Sequence, residues 1–95
     1  MDDFFAPPPF KPAEALAQLR RQLRELRPLA ERGNGFELRG QVVLELEAAG
    51  ETINVKMAKR PARTPEWTHR TLASSADVRD FVAAVKAQLA RWSDE

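Results

Sequence analysis

From Phe36 to Met57 the chain alternates apolar and polar positions. Phe36, Leu38, Gly40, Val42, Leu44 and Leu46 take every second place, and Glu37, Arg39, Gln41, Glu45 and Glu47 fill most of the gaps. After Ala48-Ala49-Gly50-Glu51 the pattern resumes with Ile53, Val55 and Met57 against Asn54 and Lys56. A strand points successive side chains to opposite faces, so this segment is predicted to be a hairpin with one dry face and one wet face. The inward set is even-numbered before the turn and odd-numbered after it, which requires a connecting loop of two or four residues. Pairing Leu46 with Ile53, Leu44 with Val55 and Val42 with Met57 satisfies that condition. It sets Val43 opposite Lys56 on the wet face, and Glu45 opposite Asn54 with Lys56 on the diagonal.

Helical patterns flank the hairpin. Leu16, Leu19, Leu23, Leu26 and Ala30 form one apolar seam after Pro12, which suits the first helical position, and Glu14 complements the dipole in the first turn. Pro28 is expected to kink this helix near Arg27, leaving Leu29 to Arg32 as a last turn ended by Gly33-Asn34-Gly35. A third strand is predicted over Glu66 to Ala73, with Trp67, His69 and Thr71 inward because an indole buries more apolar area than Leu72. The last helix starts at Ser74 or Ser75 as cap, and Val78, Phe81, Val82, Val85, Leu89 and Trp92 line one side. The expected architecture is α+β, in the order α-β-β-β-α: a three-stranded antiparallel meander with two helices packed on one face. Residues 12–92 make one domain, 93–95 a tail, and 1–11 an N-terminal arm built from Phe4, Phe5 and Phe10 around Pro7-Pro8-Pro9.

Composition narrows the function classes. The chain has 95 residues, no cysteine and a single histidine, so disulfides, thiolate metal sites and cysteine nucleophiles are excluded. No apolar run reaches the ~20 residues of a membrane span, and Met1-Asp2-Asp3 is the wrong opening for a signal peptide; the expectation is a cytoplasmic protein. Eleven arginines against four lysines, with fifteen alanines, suggest a GC-rich bacterial origin. The net charge of +1 is unevenly spread: +3 over residues 11–35, −3 over 36–52 and +4 over 53–73.

No catalytic set can be assembled. His69 has no co-ligands for zinc, and carboxylates at these spacings form no calcium loop. Ser74 and Ser75 sit at a helix cap, and Gly33-Asn34-Gly35 precedes a strand rather than a helix, the reverse of a phosphate-binding loop. The expectation is therefore a non-enzyme without cofactor or metal. The apolar arm residues Phe4, Phe5 and Phe10 either cover the domain's own core or bind a partner. Arg20, Arg24 and Arg27 share a flank of the first helix, and Lys59, Arg60 and Arg63 lie in a proline-bounded loop, with Trp67 nearby as a stacking platform. These six cations make a candidate nucleic-acid site, unless they pair with acids such as Glu31 and merely solvate the surface.

The order α-β-β-β-α resembles that of double-stranded RNA-binding domains over residues 12–92, and the resemblance is one of topology. That family places lysines at the start of its second helix and uses the loop between its first two strands; here those places read Ser74-Ser75-Ala76-Asp77 and Ala48-Ala49-Gly50-Glu51. Each brings an acid and no cation, so no residue role carries over. Two functions are expected from the sequence: a small non-catalytic protein-interaction module, association with itself included, and, as the alternative, a weak electrostatic nucleic-acid binder with that topology.

Overall fold

The computed structural model, which describes residues 10–94, shows an α+β fold of two helices and a five-stranded antiparallel sheet. Helix α1 spans Pro12–Arg24 and α2 spans Ser75–Asp94; the strands between them are β1 Ala30–Arg32, β2 Gly35–Leu38, β3 Gln41–Ala49, β4 Thr52–Ala58 and β5 Trp67–Leu72. The strands lie across the sheet in chain order. The expected strand count of three is thus corrected to five, for two local reasons. Pro28 disfavours helix at Arg27, and α1 stops at Arg24, so Ala30 to Arg32 is free to pair with β2 rather than finish a helix. Arg39 and Gly40 then reverse the chain, both with positive φ (54° and 84°) as a type I′ hairpin turn requires, which cuts the predicted first strand in two.

This reversal was hidden by a cancellation. A two-residue hairpin changes which parity faces the core, so after Leu38 the inward positions become Gln41 and Val43. The register then shifts between Phe36 and Glu37: Phe36 pairs with Leu44 but Glu37 pairs with Val42, and Val43 is the extra residue. That bulge restores the original parity, so Leu44 and Leu46 face the core like Phe36 and Leu38. Val43 is fully buried rather than on the wet face, and Val42 is turned to the side of Glu37.

Two other expectations on the sheet are corrected. Leu46 pairs with Val55, Leu44 with Met57 and Ala48 with Ile53, because the two-residue turn falls at Gly50-Glu51, where Gly50 takes φ of 61°, and moves the register by two from the expected pairing. Glu45 therefore sits directly opposite Lys56, at 3.2 Å. On β5, Leu72 pairs with Ile53, Arg70 with Val55 and Thr68 with Met57, which puts Leu72 in the core and turns Trp67, His69 and Thr71 to the opposite face. Alternation fixed the two sets of residues but could not say which was inward; the partner strand decides it.

Both helices lie on the face formed by Phe36, Leu44, Leu46, Ile53, Val55 and Leu72. Leu19 and Leu23 of α1 and Phe81, Val85 and Trp92 of α2 are buried against it, and no polar or charged side chain is buried among the described residues. An odd number of antiparallel strands separates the helices, so with short connections they run the same way, side by side. The entry to α2 is fixed by reciprocal bonds: the Asp77 amide donates to Ser74 Oγ at 3.1 Å, and the Asp77 carboxylate accepts from the Ala73 amide at 2.9 Å.

Gly35 is needed where β2 passes β3, since a Cβ there would collide with the carbonyl oxygen of Leu44. Gly35→Ala is expected to cost about 2–3 kcal/mol in urea unfolding, as overpacking does. Gly33→Ala, with φ of 59° and open space around it, is expected to cost only about 1 kcal/mol of backbone strain. Equal costs at the two positions would show that the close approach of strands is not the reason for Gly35.

Candidate interaction surfaces

Three surfaces remain once the core is accounted for. The first is the groove between the helices, about 520 Å3, where Ala15 of α1 faces Val78, Val82 and Ala83 of α2. Gln18 and Gln22 line one wall, and Arg79 and Lys86 line the other. The second is the helix-free face of the sheet, with a shallow concavity of about 570 Å3 among Glu45, Glu47, Asn54, Lys56, His69 and Thr71. Lys56 bonds ionically to Glu45 and holds its ammonium 5.9 Å from the Trp67 ring, so the expected stacking platform already carries a cation over one face. Thr71 Oγ donates to Asn54 Oδ1 at 3.4 Å beside it. His69 is exposed, and among the described residues no hydrogen bond ties it to an acid or a hydroxyl.

The third surface is the end of the sheet where α1 and α2 finish. The α1–β1 connection, the β2–β3 hairpin and the β4–β5 loop meet there, and Gly40, Gln41 and Val42 border one hollow with Ala62, Arg63 and Pro65. The β4–β5 loop is tied at its base, the Lys59 amide donating to the Glu66 carbonyl at 2.9 Å and Gln88 Nε2 to the Lys59 carbonyl at 3.4 Å.

The six candidate cations do not form one site. Arg20 and Arg24 converge on Glu31, at 3.3 and 2.9 Å, and Arg20 also donates to the Gly33 carbonyl at 3.1 Å. Glu31 reaches them because β1 places it on the helix side of the sheet, paired with Phe36. Arg27, Lys59, Arg60 and Arg63 instead lie exposed at the sheet end, with Lys59 3.5 Å from Glu66. Arg39 joins them at the hairpin tip; sequence reasoning missed it by reading the strand straight through, although Arg39-Gly40 before a new apolar run is a turn signal. Of the arm, Phe10 is half-buried against the core beside α1, while Phe4 and Phe5 lie outside the described residues.

Among the described residues, no group of three or more acid or histidine side chains could hold a metal ion, and no helix is long and apolar enough to cross a membrane. Comparison with known protein families, curated proteins and solved structures finds no match. The surfaces must therefore be read from their own chemistry.

Glu31→Gln releases both Arg20 and Arg24. Because all three side chains reach solvent, the loss of stability should stay below about 1 kcal/mol and shrink further at high salt, as urea unfolding at two ionic strengths would show. A larger, salt-independent loss would mean that the triad supports packing rather than surface charge.

Proposed function

We propose that the protein is a small non-catalytic interaction module that binds a protein segment, a second copy of itself in the simplest case, in the groove between α1 and α2. The observation that carries this reading is the groove's composition: an apolar floor of Ala15, Val78, Val82 and Ala83 with Arg79 and Lys86 on its rim. Such a groove suits an extended segment with apolar anchors and acidic neighbours. The chain itself contains one, Asp2-Asp3-Phe4-Phe5, at the far end of the arm from Phe10. Its carboxylates match Arg79 and Lys86, and its rings match the floor.

Sedimentation equilibrium over a concentration range tests the reading. Ala83→Glu puts a carboxylate into the groove and, on the helix, adds a partner three or four residues from Arg79 and Lys86, so folding should be unharmed. The wild-type protein should dimerise with concentration, and Ala83→Glu or removal of residues 1–9 should weaken the dimer at least tenfold, about 1.4 kcal/mol. A strictly monomeric wild type at high micromolar concentration would remove self-association.

A further inference from the structure

We propose that the sheet end formed by the β2–β3 hairpin, the β4–β5 loop and the α1–β1 connection binds the sugar–phosphate backbone of nucleic acid. This surface is separate from the interhelical groove and does not depend on it. Arg27, Arg39, Arg60 and Arg63 are exposed there, and none takes part in an ion pair or side-chain hydrogen bond among the described residues. Three chain segments deliver them to neighbouring positions along the sheet end, which spans roughly 19 Å from β1 to β5 at the usual strand spacing. That is a row, and it suits one backbone tracked lengthwise by forked guanidinium donors.

The acids at this end offset the row only in part. Among the described residues Glu66 is held by Lys59 and Glu37 by Arg32 at 3.7 Å, and Glu25 and Asp94, the last residue of α2, are fewer than the four arginines. Arg91, in the last turn of α2, adds charge while serving the helix dipole, whereas Arg24, in the last turn of α1, is held by Glu31. The opposite end carries Glu51, Asp77 and Glu14, the last of these paired with Lys11 at 3.7 Å, and no comparable row of unpaired arginines is seen there among the described residues.

The backbone supplies the second observation. Arg39 has φ of 54° at the first central position of a type I′ turn, a place that asparagine, aspartate or glycine occupies with less strain. An exposed arginine without an ion pair or side-chain hydrogen bond among the described residues has no such partner to offset that strain. Strain held at an exposed tip points to use by something outside the chain. Pro61 and Pro65 stiffen the neighbouring loop, so its backbone loses little freedom on binding.

Two signs of effect at Arg39 make the proposal testable. Fluorescence-anisotropy titrations with labelled single-stranded and duplex DNA and RNA, at several salt concentrations, should show affinity falling with a log–log slope of about −3 for four phosphate contacts. Arg39→Asn should reduce that slope by about 1 and weaken binding several-fold while raising the melting temperature; Arg39→Lys should retain most of the affinity. Arg63→Gln should reduce the slope equally with no change in melting. The proposal is overturned by absence of binding at low salt, by an Arg39→Asn protein that is more stable yet binds unchanged, or by poly-glutamate competing as well as nucleic acid. None of these outcomes bears on dimerisation through the groove.

Discussion

A bulge of one residue at Val43 keeps the sheet one-sided. Without the extra residue, the parity change made by the Arg39-Gly40 hairpin would carry through β3 and turn Leu44 and Leu46 away from the helices. With it, Phe36, Leu38, Val43, Leu44 and Leu46 all meet the same layer, and Val43 adds its own buried area where the strand bends. The absence of Cβ at Gly35 lets β2 approach close enough for this to happen. The helices can then share a single apolar surface, and everything polar is displaced to the other face, the groove rim and the ends.

The direction of the chain sorts those polar groups. Because five strands separate two helices that run the same way, every second connection falls at the same end as both helix C-termini. The α1–β1 connection, the β2–β3 hairpin and the β4–β5 loop are the arginine-bearing ones, whereas the β3–β4 turn and the start of α2 bring Glu51 and Asp77 to the other end. Charge that is scattered along the sequence is thus gathered by topology. Arg20 and Arg24 escape this sorting because both are within reach of Glu31.

Much of the fold was legible: the class, both helices, the buried face of α2, the Ser74 cap and the presence of strands through β3, β4 and β5. Each was carried by a period or a cap that local residues set. The misreadings fall where no local period or cap decides the outcome. A hairpin followed by a bulge is invisible to a count of alternate positions, because two phase shifts of one residue add to none. β1 is three residues with no buried side chain and so has no pattern to read. The facing of β5 depended on which residues of β4 it met. The candidate surfaces were partly legible for the same reason: the charges were countable, but their grouping rests on pairings that are not local.

The two borders of the sheet are finished in different ways. β1 is too short to template another strand, whereas β5 offers six residues as the other border of the sheet, unpaired on its outer side among the described residues. On β5 the side facing the helices carries Arg70, paired with Val55 between Thr68 and Leu72, and it stays exposed. A strand added beyond β5 would have to bring its inward residues beside that guanidinium and take it out of water. An exposed charge on the core side of the border strand therefore caps the sheet laterally and opposes extension of the ladder into a growing aggregate.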